Sequence, residues 1–392
     1  MFKELKGMTL AEKKEKFMEI KPYLIILFVP MAFTLLFGGM FSPIFVEDIP
    51  IAIYDMDHSA TSRDIIDYFY DSPALSITED VSSVEEVKEK LLLGEIHGAI
   101  IIPEDFGKDL SGKKGAHAVV FMDNTNFMYG NNVMSAINTI FETVNAGVQM
   151  KLLEAGSLVP YQAEQSAYTL NLVDRVLYNP QLGYFYYLFP GLLSIFIQQA
   201  FLAAGVPVLI EEKSRLRDLP MNLSKEFIIV KMSLMVRRFM LMGGCSIISM
   251  MACLKIAMAV TGFPMEGNIF ILILFQIVFL GAVMGMALII ASIFEQVAHA
   301  VQFTMFLTVP TFLSCGFAWP EYMMAPGFAD VIKAIWPLYY FITPMKDVML
   351  KGIGLELLKP YLIGCAIFAA VWVPIGVLLF RRKIKIIREL HS

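Results

Sequence analysis

Charged side chains are absent from the centres of the long apolar stretches that make up much of this 392-residue chain. Carboxylates or histidines in such stretches mark the proton and ion relays of secondary transporters, so no relay of that kind is predicted. The polar residues that do occur there are amides, at Gln198, Gln199, Gln276 and Gln302. We consider them candidates to line a translocation path, with hydrogen bonding between helices as the alternative.

Cysteine and histidine are too few or too scattered to build a site. The four cysteines lie in or beside apolar stretches, and none falls in the long polar segment 42–182, so no disulfide framework is predicted there. The five histidines do not cluster at the spacing of metal ligands. We therefore predict apolar packing roles for the cysteines and no metal site.

A complete nucleotide-binding loop is also missing. Residues Gly107–Lys114 nearly form one, but Lys114 stands where a Ser or Thr hydroxyl would hold Mg²⁺, so a surface turn is predicted. Asp55 and Asp57 resemble the start of a phosphatase or calcium loop without its downstream partners, and we interpret them as groups that end a strand and cap a helix. No nucleophile–base pattern is present. The chain is predicted to be no enzyme and to hold no catalytic or cofactor-binding residues.

Apolar residues are abundant, at 57%, and the mean hydropathy of +0.63 is far above that of a soluble chain. Six stretches approach the roughly 20 residues that a helix needs to cross a bilayer. They are Tyr23–Phe41, Tyr184–Ile210, Phe239–Met258, Ile269–Phe294, Ala300–Ala318 and Tyr361–Phe380. The predicted fold class is a polytopic α-helical membrane protein with six transmembrane helices, the first over 23–41 and the others within 184–380.

Lys and Arg concentrate in residues 1–22, 211–238 and 381–392. Because such residues favour the cytoplasmic side, both termini and the connection 211–238 are predicted to be cytoplasmic. Thr9 and Glu12 fit a capping box, which predicts a short amphipathic helix within residues 1–22. Residues 381–392 are predicted to form a basic cytoplasmic tail.

Residues 42–183 are then predicted to lie outside as an extracytoplasmic α/β (α+β) domain inserted between helices 1 and 2, because strands and helices alternate there. The predicted strands are Ile49–Tyr54, Gly98–Ile102 and Ala116–Met122, and the predicted helices are Ser62–Tyr70, Val84–Leu93 and Val133–Leu153. Segment 319–360 is too interrupted by Pro and Gly to cross and too apolar for a solvated loop. We predict a re-entrant segment of short helices at the outer interface.

Several short motifs occur in a characteristic order along nearly the whole chain. They are Asp55, Asp57, Ser59, Ser62 and Arg63 after the first outer strand, Tyr178-Asn179-Pro180 and Phe189-Pro190-Gly191 at the second crossing, Glu211-Glu212 with Glu226 and Lys231 in the inner connection, and Gly316-Phe317, Pro320, Trp336-Pro337-Leu338-Tyr339-Tyr340 and Leu350-Lys351-Gly352 before the last crossing. Together they resemble the permease subunit of ABC-2 type exporters that carry a large outer domain between the first two crossings. Ser214-Arg215, Val230 and Lys346 depart from that family's pattern.

The resemblance implies a mechanism in which two permease copies, or a copy and a paralogue, pair above two cytoplasmic ABC ATPase subunits. A coupling helix would lie within Asp218–Ile229, with Ser224 as its N-cap. The expected ATPase contacts are Glu211, Glu212, Lys213, Arg215, Arg217, Ser224 and Glu226. ATP and Mg²⁺ would bind the partner, so no cofactor is expected in this chain.

The same resemblance implies a protein of the bacterial cytoplasmic (inner) membrane that exports an amphipathic or lipid-like compound or a drug. A periplasmic or envelope adaptor is a further partner to consider, and nucleic acid is not. The alternative is a membrane-anchored extracytoplasmic binding or sensing module without transport activity. A membrane enzyme is disfavoured because no polar constellation is present.

Overall fold

The computed structural model of the chain describes residues 10–41, 47–111, 116–125, 127–155, 177–179, 183–217 and 225–390. The chain divides into two compact units: a sheet unit, Phe45–Val176, and a helical unit, Met1–Ile44 with Leu177–Ser392. In chain order the elements are α1 Leu10–Met40, β1 Ile49–Asp55, α2 Ala60–Tyr70, β2 Leu75–Asp80, α3 Val84–Leu93, β3 Gly98–Ile102, α4 Phe106–Ser111, β4 Val119–Met122, α5 Phe127–Ala155, α6 Tyr184–Arg217, α7 Lys225–Thr261, α8 Ile269–Ile293, α9 Val297–Ser314, α10 Phe328–Ile335, α11 Tyr339–Lys351 and α12 Leu355–Leu390.

Six helices in the described part of the helical unit are long and apolar enough to cross a membrane. The apolar spans are Lys16–Met40, Tyr184–Leu216, Ser233–Thr261, Ile269–Ile293, Val297–Ser314 and Leu355–Lys385. This confirms the prediction of a helical membrane protein with six spans. It follows from local composition, because a helix satisfies its own backbone hydrogen bonds within lipid.

The first span differs from the prediction in one respect. We expected a short helix within residues 1–22, separate from the span over 23–41, whereas α1 continues without interruption from Leu10 to Met40. Pro22, at the expected break, lies inside the helix, as does Pro30. A proline removes only one backbone N–H from a helix. Ending the helix within lipid would leave several backbone groups without hydrogen bonds, so the helix continues through the proline.

Helix α8 forms the centre of the helical unit, where it packs against α6, α11 and α12. The approach of α12 is close because glycines face each other: a Cβ added at Gly376 would lie 2.9 Å from the carbonyl oxygen of Gly285. Small residues at contacts between membrane helices allow such backbone proximity. The Phe33 ring of α1 stacks on Phe196 of α6 with centroids 4.4 Å apart.

The segment 319–360 contains a 3₁₀ turn, Glu321–Met323, followed by α10 and α11. Helix α11 is buried along most of its length, and its Phe341 ring stacks on Phe279 at 4.1 Å. Phe279 lies ten residues after the start of α8, or ~15 Å along its axis. Helix α11 therefore inserts among the spans, and its depth in a bilayer stays a prediction.

The sheet unit is built on four strands in the order β2-β1-β3-β4, with β1 parallel to β2 and β3 and β4 antiparallel to β3. The sequences of β1 and β3 are almost entirely apolar because helices cover both faces of these two central strands. Helices α2 and α5 pack over Ile51, Ile53 and Ile100 on one face. Helix α3 packs over Ala52 and Ala99 on the other. The unit lies between the first two spans in sequence, and its side of the membrane stays a prediction.

Two elements of the sheet unit were not predicted. Strand β2 pairs along β1 at the sheet edge, and its Leu-Ser-Ile-Thr-Glu-Asp sequence alternates too weakly to predict a strand. Helix α4 covers part of the predicted surface turn, and residues 112–114 of that stretch lie outside the described residues. The backbone N–H of Gly107 in α4 donates to the Asp57 carboxylate at 3.0 Å, and the Ser62 hydroxyl donates to Asp55 at 2.7 Å. The two aspartates thus order the end of β1 and its neighbouring helices.

Candidate functional site

Four of the residues predicted to meet an ATPase lie near the end of α6: Glu211, Glu212, Lys213 and Arg215. We call the end of the helical unit where α6 ends and α7 begins the basic end. On α6, Glu211 and Arg215 are exposed, whereas Glu212 is buried. The Arg215 guanidinium lies 3.8 Å from the Glu212 carboxylate. Glu211 and Arg215 therefore offer exposed charges of both signs to a partner.

Lys213 has a different position from its charged neighbours. It is only 4% exposed, and its ammonium donates to the carbonyl oxygens of Ala291 and Phe294 at 2.7 and 2.6 Å. These carbonyls end α8, where no further turn supplies N–H donors. Lys213 thus stabilises the end of α8 and joins it to α6, and it does not belong to the exposed charged surface.

A second contact joins the last span to the same end. The Lys383 ammonium of α12 lies 3.3 Å from the carboxylate of Glu295, in the short connection between α8 and α9. Lys213 and Lys383 now bring the ends of α6, α8 and α12 together.

The remaining predicted contacts are described only in part. Ser224 and the rest of 218–224 lie outside the described residues, while Arg217 and Glu226 are helical and their side chains are not described. Residues 225–229 of the predicted coupling helix are the first turn of the long helix α7. The boundaries of a coupling helix therefore stay a prediction.

A cavity of about 410 Å³ opens at the basic end between α1, α6 and α7. It is lined by Glu19, Ile20, Tyr23, Val208, Glu212, Arg215, Leu234, Met235, Arg237, Arg238 and Leu241. The cavity combines three arginines and two glutamates with apolar side chains. No sequence motif indicated the cavity, because its residues come from three separate helices.

Two of the four glutamines proposed for a translocation path make hydrogen bonds to neighbouring helices. Gln199 accepts a 2.7 Å hydrogen bond from the Thr308 hydroxyl of α9, and Gln276 donates to the Ser246 hydroxyl of α7 at 3.0 Å. Gln198 is buried, and its side-chain oxygen has no partner among the described residues. Gln302 is exposed on α9. For Gln199 and Gln276, the geometry is that of hydrogen bonds between helices.

A polar cluster that the sequence did not indicate lies at the opposite end, around α10 and α11. The Glu321 carboxylate accepts hydrogen bonds from the Lys333 ammonium and the Tyr339 hydroxyl. The bond from Lys333 lowers the pKa of Glu321, and the same bond raises the pKa of Lys333. The partners are 12 and 18 residues apart, so only the tertiary fold reveals the cluster.

We expect this cluster to make α10 and α11 sensitive to acid. Because the pKa of Glu321 is lowered, its stabilising contribution is present above the ordinary glutamate pKa and is lost as pH falls through the lowered value. Lys333 acts in the opposite sense and loses its contribution only as pH rises through its raised pKa. Hydrogen exchange of 321–339, corrected for intrinsic rates, should accelerate below about pH 4 in the wild type.

Glu321→Gln should remove that acid dependence, because an amide does not titrate. Glu356→Gln, at an exposed carboxylate in the first turn of α12, should leave it unchanged. The cluster assignment is wrong if Glu321→Gln and the wild type accelerate equally in acid.

Comparison with known proteins agrees with the architecture. The family described as ABC-2 family transporter protein matches residues 21–378. The chain is 21% identical over 339 residues to the inner membrane transport permease YhhJ of Escherichia coli K12, covering 86% of both chains. It is 22% identical over 367 residues to the probable multidrug ABC transporter permease YbhS of that strain, covering 90% of this chain and 89% of YbhS. It is 23% identical over 390 residues to the related permease YbhR, covering 97% of each.

No solved structure matches the chain significantly. The family match spans the six candidate membrane spans except the first residues of the first one and the last residues of the sixth. The curated relatives align over most of their own length. Together with the helical fold, these findings identify the chain as a member of the ABC-2 transporter family and as a polytopic membrane transport permease.

Proposed function

We propose that the chain is the permease subunit of an ATP-driven exporter and that a separate cytoplasmic ABC ATPase binds at its basic end. The observation that carries this proposal is the contact of Lys213 with the end of α8, because it joins the charged end of α6 to the centre of the bundle. A push on α6 or α7 would then reach α8 and, through Glu295 and Lys383, α12.

The orientation rests on charge. Lys and Arg occupy the ends of α6, α7 and α12 that meet at the basic end, and such residues favour the cytoplasm. Both termini are then cytoplasmic, the sheet unit is extracytoplasmic, and the membrane is the inner membrane, as the name of the relative YhhJ states for that protein.

The proposed docking surface combines the exposed charges of Glu211 and Arg215 with the 218–224 connection. Charges of both signs at an exposed helix end specify a partner and its orientation more than they add affinity. ATP and Mg²⁺ would bind the partner, because the near-match to a phosphate loop at Gly107–Lys114 lacks the hydroxyl that Mg²⁺ needs.

The proposed cargo is an amphipathic or lipid-like compound taken from the cytoplasm or the inner leaflet. The names of YbhS and YbhR assign those relatives to probable multidrug transport, which supports a cargo of this chemistry. A second permease copy or a paralogue would complete the path. Helix α9 offers it a large apolar surface, with Met305, Phe306, Val309 and Leu313 exposed.

Exchanging the charges of the docking surface should separate the permease from its ATPase. Glu211→Lys combined with Arg215→Glu keeps the net charge and inverts the local pattern. Like charges placed opposite each other cost several kcal/mol, so we expect co-purified ATPase to fall by at least about tenfold. The measurement is the ATPase recovered with affinity-tagged permease from membranes.

A matched control exchanges two exposed charges at the opposite end of the bundle, Glu356→Lys with Lys359→Glu on α12. It should recover as much ATPase as the wild type. If the first exchange leaves both ATPase recovery and export intact, the docking surface is wrong. If export persists without any bound ATPase, the proposal that export is ATP-driven fails. If the wild type neither recovers an ATPase nor exports cargo, the sensing module without transport activity is favoured.

A further inference from the structure

The cavity at the basic end has the composition of a ligand site, and Arg215 is its one lining residue that also belongs to the proposed docking surface. We propose that the cavity binds the phosphate of an anionic membrane phospholipid. The proposal does not depend on an ATPase partner or on the identity of the cargo.

The position of the cavity favours a lipid over a soluble partner. Each of its lining residues lies within a membrane span, in α1, α6 or α7. Arg237 lies twelve residues after the start of α7, or ~18 Å along its axis. Val208 lies nine residues before the end of α6, or ~13 Å. Arg215 lies two residues before the end of α6, so the cavity extends from the end of that helix to the depth of Val208. Helix α7 begins nine residues before Leu234, its first lining residue, and a headgroup can enter the deeper part of the cavity from the side.

The charges of the cavity select the sign of the ligand. The net charge of the lining is +1, because three arginines face two glutamates. They are Arg215, Arg237 and Arg238, with Glu19 and Glu212. Arg215 lies within ion-pair distance of Glu212, whereas neither Arg237 nor Arg238 pairs with a carboxylate in the part of the chain that the structure describes. A guanidinium offers a planar set of donors that matches phosphate oxygens. A phospholipid headgroup with one phosphodiester and no ammonium group carries a single negative charge. It would neutralise the net positive charge of the cavity.

The apolar part of the lining suits the rest of a lipid molecule. Leu234 and Leu241 are 47% and 52% exposed on α7, and the adjacent Met240 is 73% exposed. These side chains offer a surface along which acyl chains can pack once the phosphate is held. Basic pockets between membrane helices are known to hold lipid headgroups, and a volume of about 410 Å³ is in the usual range for small ligands.

Native mass spectrometry of the full chain in detergent tests the proposal, with phosphatidylglycerol, phosphatidylcholine and glycerol 3-phosphate as probes. We expect a one-lipid adduct with phosphatidylglycerol that forms at about tenfold lower concentration than any adduct with phosphatidylcholine. Glycerol 3-phosphate at millimolar concentration should not displace the lipid. Equal binding of both lipids, or displacement by the soluble phosphate, would overturn the proposal.

Substitutions test the location. Arg237→Gln with Arg238→Gln should weaken phosphatidylglycerol binding by about tenfold or more. Arg381→Gln with Arg382→Gln removes the same charge from α12 outside the cavity and should bind as the wild type does. Unchanged binding in the first variant would refute the site. Equal loss in both variants would reduce it to non-specific attraction between the basic end and anionic lipid, which also contradicts the proposal.

Discussion

Replacing Lys213 with methionine is expected to destabilise the helical unit by about 2–3 kcal/mol. Methionine keeps the apolar stem but leaves the buried carbonyl of Ala291 and the partly buried carbonyl of Phe294 without a charged donor. Hydrogen bonds to charged groups contribute about 1.5–3 kcal/mol each, and the loss is partly offset because no ammonium has to be buried. Thermal unfolding in detergent, followed with a thiol-reactive dye that reports the buried cysteines, should show a decrease of several degrees.

The same variant should also change energy coupling. If Lys213 transmits motion from α6 to α8, Lys213→Met should keep the ATPase bound and lower the amount of cargo exported per ATP hydrolysed. Arg215→Met is the matched control for stability, because the Arg215 side chain is exposed and loss of its ion pair with Glu212 should cost less than about 1 kcal/mol. Equal melting temperatures for Lys213→Met and Arg215→Met would show that the buried contact does not hold the bundle together.

The second large effect is expected where α8 and α12 touch. In Gly376→Ala, the new methyl group would lie 2.8 Å from Cβ of Leu288 and 2.9 Å from the carbonyl oxygen of Gly285. Backbone cannot move aside as a flexible side chain does, so we expect a loss of about 1–3 kcal/mol from overpacking. The α8–α12 contact would widen, and the melting temperature would fall.

Gly281→Ala controls for the intrinsic effect of alanine in a helix. A Cβ at Gly281 meets nothing within 4 Å, so this variant gains only helix propensity, up to about 1 kcal/mol. From the most to the least stable, the expected order is Gly281→Ala, wild type and Gly376→Ala. If the two alanine variants melt together, the close approach of α8 and α12 is not as tight as described.

The spans and the central strands could be predicted from the sequence because their signals are local. An apolar run of sufficient length predicts a membrane helix, and the buried runs of β1 and β3 predict strands. Strand β2 escaped prediction because it lies at the sheet edge and ends in acidic residues. The length of α1 was underestimated because Pro22 normally marks a boundary outside lipid.

The site was less predictable because its contacts join distant parts of the chain. The charge of Lys213 placed it in the expected docking surface, whereas its partners are backbone carbonyls 78 and 81 residues away. A backbone carbonyl carries no residue-specific signal. The cluster of Glu321, Lys333 and Tyr339 and the cavity at the basic end likewise exist only after helices have packed. The hydrogen bonds of Gln199 and Gln276 to neighbouring helices also depend on how the helices pack.

ATP hydrolysis and dye export in proteoliposomes test the central claim most directly, because they show whether this chain moves cargo only when a separate ATPase acts on its basic end. The purified permease should neither hydrolyse ATP nor export an amphipathic fluorescent dye by itself, and both activities should be present with the ATPase subunit that co-purifies with it. Hydrolysis by the permease alone, or dye export driven by an ion gradient without the ATPase, would contradict the account.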